Sequence, residues 1–258
     1  MSQNVQSAEA KKPSAASELV EIIKTIVYAL LIALFLRIIF FQPFTIPSAS
    51  MEPNLYQGDY IIVSKFSYGY SRHSIPLSPP IFHGRIFERV PHRGDIVVFK
   101  LPSDGHTDYI KRVIGLPGDR IQMKQGLLYV NGEQIQRDPM SPVDTDTGYG
   151  IRQVARFQER LKDGKTYDTQ DFGPDGDLDN TDVFVVPQGY YFMMGDNRDN
   201  SSDSRVPPAA GGVGYVPAEN LVGKAQIILL SWKADASIFK PWTWILDARP
   251  SRFFKLLK

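Results

Sequence analysis

The sequence predicts a mainly β protein. An N-terminal transmembrane helix precedes an antiparallel β-sheet body of folded-sheet or partial-barrel type, into which a smaller β-rich subdomain is inserted. Three observations predict this. Residues 22–41 are almost wholly Ile, Leu, Val, Ala and Phe. Short β-rich runs with Gly and Pro punctuation then recur from residue 59 to residue 232. Between them lies 138–181, a stretch rich in Asp and Gly that breaks the rhythm.

The apolar run comes first. Twenty helical residues at about 1.5 Å each cover roughly 30 Å, the thickness of a hydrocarbon core. Lys24 and Arg37 lie near its ends, where long stems carry charge to the headgroups. Tyr28 lies within the span, and Phe40, Phe41 and Pro43 mark its exit. A cleaved signal peptide is the first alternative, but it has a shorter apolar core. The small residues Ser48-Ala49-Ser50 resemble a cleavage site, yet they follow aromatic and proline residues. A buried soluble helix is the second alternative, but Ile26–Leu36 has no polar face for water. An uncleaved anchor fits best. Lys11 and Lys12 place the short N-terminal side inside the cell and the large C-terminal part outside. Residues 1–21 read as a cytoplasmic disordered tail, its first seventeen rich in Ser, Ala, Gln and Lys.

Strands are expected at Asp59–Lys65, Gly94–Lys100, Tyr109–Ile114, Arg120–Met123, Leu127–Val130 and Glu133–Arg137. More follow at Asp182–Val186, Tyr190–Met194 and Leu221–Trp232, with turns at Pro117-Gly118, Asn131-Gly132 and Pro187-Gln188-Gly189. Residues 42–118 and 182–235 thus form the main body and 119–181 the inserted subdomain. Residues 236–258 form a basic and aromatic C-terminal tail. Residues 66–92 mix Tyr, Phe, Pro, Ser, Arg and His without period and read as an irregular excursion. Asp175-Gly176-Asp177-Leu178-Asp179-Asn180 superficially follows a calcium loop. Its glycine is misplaced and its twelfth position is Val186, so a solvated acidic loop is expected.

Composition narrows the chemistry. A net charge of +1 leaves no nucleic-acid footprint. The absence of cysteine removes disulfides, thiolate nucleophiles and Cys-based zinc sites. His73, His83, His92 and His106 show no metal-ligand spacing and read as surface or loop residues, so no metal and no cofactor is expected. Met193-Met194 reads as core. Asp196, Asp199 and Asp203 offer three carboxylates, but Asn197, Arg198 and Arg205 among them favour charge pairing and loop fixing over a metal.

One nucleophile remains to be weighed. A serine hydroxyl needs a neighbouring base. No Gly-x-Ser-x-Gly elbow is present, so a neutral lysine is the alternative to histidine. Burial in apolar surroundings depresses a lysine pKa from its usual value of about 10.4. Lys111, with Ile110, Val113 and Ile114 around it in a strand pattern, is the lysine best placed for this.

The segment Ile46-Pro-Ser-Ala-Ser-Met-Glu-Pro-Asn-Leu55 resembles the nucleophile box of bacterial signal peptidase I, or leader peptidase. Tyr109–Asp119 is similar to its lysine box, Gly94–Phe99 to the strand between, and Gly195–Arg205 to its last box. All four occur in the family's order. The resemblance implies Ser50 as nucleophile, Lys111 as general base, and Ser48 with the Ser50 backbone N–H as oxyanion hole. It implies that Ser201 orients the lysine amine and that Arg112, Asp203 and Arg205 buttress the site. Ile46, Met51, Leu55, Tyr109 and Ile110 match positions at or near shallow pockets for small residues. The common family form has glycine between the two serines; here Ala49 requires an ordinary φ.

The implied reaction is acyl transfer without a cofactor. The implied partners are secretory preproteins cut after Ala-x-Ala-like sites and the lipid bilayer, with no nucleic acid. The implied location is the bacterial cytoplasmic (inner) membrane, single-pass, with the catalytic body on the outer, periplasmic side. Eight residues separate Phe41 from Ser50, so the nucleophile stands within roughly 30 Å of the end of the span. The excursion 66–92, with Arg72, Arg85 and Arg89, and the tail Arg252–Lys258 either rest on lipid or cover the sheet. A specialised processing peptidase of the same class and an inactive anchored scaffold are the rival readings. A cytosolic self-cleaving repressor conflicts with the anchor.

Overall fold

The computed structural model describes residues 15–146, 150–173, 176–233 and 242–257. Helix α1 runs over Ala15–Ile39, 25 residues. Within it Ala16–Ile39 has a mean hydropathy of 2.4, which makes it long and apolar enough to cross a membrane. It begins earlier than the sequence reading placed the span, so residues 15–21 are helix and not tail. Glu18 in the first turn and Arg37 in the last complement the helix dipole at either end. Phe41 belongs to the following strand and not to the helix. The rest of the proposed disordered tail lies outside the described residues.

The β body is built from short antiparallel strands. In chain order these begin with β1 (Phe41–Thr45), β2 (Asp59–Ser64), β3 (Ile96–Lys100), β4 (Asp108–Gly115), β5 (Arg120–Lys124), β6 (Leu127–Val130) and β7 (Glu133–Gln134). They continue with β8 (Gln136–Asp146), β9 (Ile151–Arg160), β10 (Thr166–Asp171), β11 (Phe184–Val185), β12 (Tyr190–Met194), β13 (Val216–Pro217), β14 (Leu221–Ser231) and β15 (Lys255–Leu256). The main sheet is 8-stranded in the order β1-β2-β14-β3-β4-β12-β13, with β15 paired to β14. A 4-stranded sheet β11-β5-β6-β7 and a 3-stranded sheet β10-β9-β8 complete the body.

Alternation along β3 explains why the central strands are apolar throughout. Ile96 and Val98 enter one core cluster with Met51, Leu55, Ile61 and Val222. Val97 and Phe99 enter another with Val113, Tyr191 and Met193. Both faces of the sheet centre are therefore covered, and each buried large apolar side chain contributes about 1.5–3 kcal/mol. Met193 and Met194 are core, as expected.

The excursion 66–92 is irregular, with one 3-10 turn at Arg72–Ser74 and a single bridge between Tyr70 and Ile86. Arg85 staples it down by donating to the carbonyls of Tyr68, Gly69, Ala218 and Leu221. His73 departs from the surface reading. It is buried within that turn, with Nδ1 3.0 Å from Ser78 Oγ, and burial lowers its pKa to about 4.

No individual strand was expected within 138–181, the Asp- and Gly-rich stretch of the inserted β-rich subdomain. Most of it is strand, because β8, β9 and β10 pair over long stretches. Their buried positions include Glu159 and Asp171, which pair with Arg198 and Arg137, and the polar side chains of Thr169 and Gln170, so they form no continuous apolar face. The expected solvated acidic loop is solvated only in part. Asp179 is buried and accepts from the Gly176 N–H at 2.9 Å, while Asp177 is exposed. Asp175, Lys258 and all of 234–241 lie outside the described residues. The rest of the C-terminal tail forms a helical turn at Thr243–Leu246 and the edge strand β15.

Candidate active site

Ser50 sits in the tight turn that links β1 to β2. The turn is closed at its base by the Gly58 N–H to the Ile46 carbonyl and the Ile46 N–H to the Asp59 carbonyl, both 2.9 Å. Met51 and Leu55 point into the core and hold the turn down. Ala49 keeps an ordinary φ, as its β-carbon demands. Lys111 comes from β4, opposite Val97 of β3.

These two side chains meet. Lys111 Nζ lies 2.6 Å from Ser50 Oγ. Lys111 is only 3% exposed. Burial lowers its pKa from 10.5 to about 8, against Asp203 and Asp196, whose charges raise it. Ser48 Oγ stands 3.2 Å from Ser50 Oγ. The Ser50 N–H has no acceptor among the described residues.

Beneath the pair lies a buried ionic scaffold. Arg112 is fully buried and donates to both oxygens of Asp196 at 2.7 Å and to the Gly94 carbonyl at 2.6 Å. Its guanidinium also stacks over the Tyr167 ring at 4.2 Å. Burial opposes the Arg112 charge, but Asp196 outweighs it and the pKa rises. Burial alone would raise the Asp203 carboxyl too. The paired Arg205 guanidinium and the Gly195 N–H hold it below its ordinary value. Arg205 donates onward to the Arg198 carbonyl at 2.6 Å, and Arg198 pairs with Glu159 of β9 at 2.6 Å. Such bidentate, charge-assisted bonds fix a loop in one geometry.

Gly195 fits between this scaffold and the nucleophile. A β-carbon there would lie 2.2 Å from Ser201 Oγ and 2.5 Å from the Ser50 carbonyl oxygen. Ser201 Oγ is buried with no hydrogen-bond partner among the described residues, so the contact to the lysine amine is not made.

A cleft of about 380 Å³ opens over the pair, lined by Pro47, Ser48, Ser50, Tyr109, Ile110 and Asn200 among others. Of the five expected pocket residues, Tyr109 and Ile110 line it, whereas Ile46, Met51 and Leu55 are buried in the core below. A larger recess of about 710 Å³, bordered by Phe172, Gly176, Asp199 and Val206, holds neither nucleophile nor base. Two scaffold partners were not singled out from the sequence. Glu159 lies in the inserted stretch where no individual strand was expected, and Asn54 stands in the nucleophile box without a role of its own.

The chain is similar to known proteins over most of its length. A family model described as signal peptidase, peptidase S26, matches residues 19–232. A signal peptidase I of Rickettsia canadensis (strain McKiel) is 41% identical over 251 residues, covering 91% of this chain and 92% of that protein. A signal peptidase I of Rickettsia typhi (strain ATCC VR-144 / Wilmington) is 43% identical over 249 residues, covering 89% and 90%. A solved signal peptidase I from Enterococcus faecalis aligns with 53% of this chain and 97% of its own at 24% identity and a TM-score of 0.30. That match is too loose to add weight. The family model and the two long relatives suffice, and the chain belongs to the signal peptidase family, peptidase S26.

Proposed function

We propose that this serine endopeptidase removes signal peptides from secretory preproteins through a Ser50–Lys111 dyad. The observation that carries the dyad is the 2.6 Å contact between Lys111 Nζ and Ser50 Oγ, made where burial depresses the lysine. Neutral Lys111 takes the hydroxyl proton, and Ser50 Oγ attacks the scissile carbonyl. Charge developing on the carbonyl oxygen meets the Ser48 hydroxyl and the Ser50 N–H. Protonated Lys111 hands its proton to the leaving amine. A water then enters and gives its proton to the same lysine, and its oxygen attacks the acyl carbonyl. Collapse frees the new carboxyl terminus and returns the proton to Ser50. Ser201 Oγ, without a partner, is available to accept from the lysine amine when the substrate closes the cleft.

The substrate's mode of entry follows from strand pairing. β3 pairs with Asp108–Arg112 on one side of β4, whereas β12 pairs on the other side only with Arg112, Val113 and Gly115. Residues 108–111 therefore have no strand partner on their second side among the described residues. An extended peptide adds there as a strand, with backbone bonds giving affinity and small side chains entering beside Tyr109 and Ile110.

Helix α1 anchors the chain in the bacterial cytoplasmic membrane with the β body outside. Phe87 (79% exposed), Leu77 and Ile81 in the excursion, and Trp244, Ile245 and Phe254 near the C-terminus, are exposed apolar side chains suited to a lipid surface. Because the chain has no cysteine, one introduced at exposed Ser103 is a unique label. Labelling of Ser103→Cys in intact spheroplasts by an impermeant maleimide supports the outside placement, and labelling only after lysis overturns it. The activity is tested by incubating the purified chain with a preprotein. Cleavage after Ala-x-Ala by the wild type, lost in Ser50→Ala and in Lys111→Arg, is the expected result, since a guanidinium stays charged and cannot act as base.

A further inference from the structure

The dyad joins two separate parts of the fold, a turn and a strand, and something must hold them in register. Ser50 is tied on the spot by its carbonyl, which accepts from the Asn197 N–H at 3.2 Å. Four residues on, Asn54 makes a second tie. Its Nδ2 donates to Asp196 Oδ2 at 2.8 Å and to the Asp168 carbonyl of β10 at 2.6 Å. Asp196 is the same carboxylate that clamps Arg112, the residue after Lys111. One carboxylate thus bridges the nucleophile turn and the base strand, and Asn54 is the turn's side of that bridge.

The backbone of Asn54 is held from the opposite direction. Arg252 Nη2, from the C-terminal segment, donates to the Asn54 carbonyl at 2.9 Å. The same guanidinium pairs with fully buried Asp59 at the start of β2, and Asp59 Oδ2 accepts from the Tyr56 N–H at 2.8 Å. The turn is therefore clamped at residue 54 by its side chain and by its carbonyl. A carboxamide suits the position because its two hydrogens serve two acceptors at once.

We propose that Asn54 is a positioning residue that sets the Ser50–Lys111 register by tying the nucleophile turn to the Asp196 carboxylate seating the base strand. This rests on the dyad reading. Asn54 touches neither reacting atom, so its loss acts through Ser50, and it leaves the cleft residues Tyr109 and Ile110 in place. A displacement of about 1 Å at a reacting pair costs on the order of 10²-fold in rate. Removing an amide donor from Asp196 also leaves that carboxylate less neutralised, and Asp196 is one of the charges that raise the Lys111 pKa.

The test uses the full chain in detergent and a preprotein substrate, with Asn54→Leu, Asn54→Gln and Lys111→Met measured beside the wild type. Each is assayed well below its own melting temperature. Asn54→Leu keeps the volume and removes both donors; kcat is expected to fall by roughly 10- to 100-fold with KM within about two-fold. The acid limb of its pH–rate profile should move to higher pH. Asn54→Gln keeps a carboxamide on a longer stem and should lose less, and it decides the matter if Asn54→Leu does not fold. Wild-type kcat and an unmoved pH limb in the folded variants, with Lys111→Met silent, would overturn the positioning role and leave the dyad standing. Loss confined to KM would overturn it equally. Activity in Lys111→Met would remove the dyad and this inference with it.

Discussion

Lys111 Nζ reaches Ser50 Oγ at 2.6 Å across 61 positions of sequence, and the amine that does so is almost wholly buried. The same burial that costs the ammonium form its hydration makes the free amine accessible near neutral pH. Proximity and basicity thus have one structural cause, the burial of the Lys111 side chain against the Ser50 turn.

That relationship fixes a pH dependence. The base acts only when neutral, and its pKa is lowered to about 8. kcat/KM for cleavage should therefore rise with pH, with a midpoint near 8, and fall about ten-fold per unit below it. A pH series of initial rates checks this. A midpoint above 10 would mean that the lysine is solvated.

Stability should move the other way in a variant without the charge. Lys111 has a folded pKa of about 8 against 10.5 in an ordinary environment. Below pH 8 the lysine is protonated in both states and the full cost of burying its charge opposes folding. Between about 8 and 10.5 that cost fades as the folded chain loses the proton first, and above 10.5 it is gone. Lys111→Met should accordingly be more stable than the wild type by up to about 3 kcal/mol at pH 7, with the advantage vanishing toward pH 11. Chemical denaturation across that pH range reads the difference.

In the proposed mechanism Ser48, its Oγ 3.2 Å from Ser50 Oγ, receives developing charge rather than carrying the substrate. Ser48→Ala should lower kcat by roughly 10²- to 10³-fold while changing KM little, the signature of an oxyanion donor. Steady-state kinetics separates this from a binding defect, in which KM would carry the loss.

Gly195 tests how closely the ionic scaffold presses on the nucleophile. Its added β-carbon would meet Ser201 Oγ at 2.2 Å and the Ser50 carbonyl oxygen at 2.5 Å, so one of them must move. Gly195→Ala should destabilise the fold by about 1–3 kcal/mol. It should also cut the single-turnover cleavage rate more than its loss of stability accounts for. Wild-type rates in a folded Gly195→Ala would show that the turn relaxes without penalty.

Much of this architecture is legible in the sequence where apolar patterning and turn residues agree. The strands Ile96–Lys100, Arg120–Lys124 and Tyr190–Met194 fall where the apolar runs end at glycine, proline or asparagine. The span was legible too, although its start was not, because Ala15–Glu21 carries helix-forming residues that look like a polar tail. The strands β8 to β10 were hidden for a physical reason. Their buried positions include Glu159 and Asp171, paired with arginines, beside polar Thr169 and Gln170, so no period of apolar residues announces them.

The site divides in the same way. Ser50, Lys111 and Ser48 stand in local motifs, and the structure brings them together. The resemblance puts Ile46, Met51 and Leu55 at or near the pockets, but in this fold their apolar side chains are drawn into the core beneath the turn. Asn54 stands in the nucleophile box, but nothing in the sequence marks what it ties together. Its partners Asp168, Asp196 and Arg252 lie more than a hundred positions away, and only the folded chain brings them to it.

Cleavage of a preprotein bearing an Ala-x-Ala site by the purified full chain in detergent, wild type beside Lys111→Met, tests the central claim most directly. The account predicts a single cut after that site by the wild type and none by Lys111→Met, with both proteins folded. Comparable cleavage by Lys111→Met, or no cleavage by either folded protein, would contradict it.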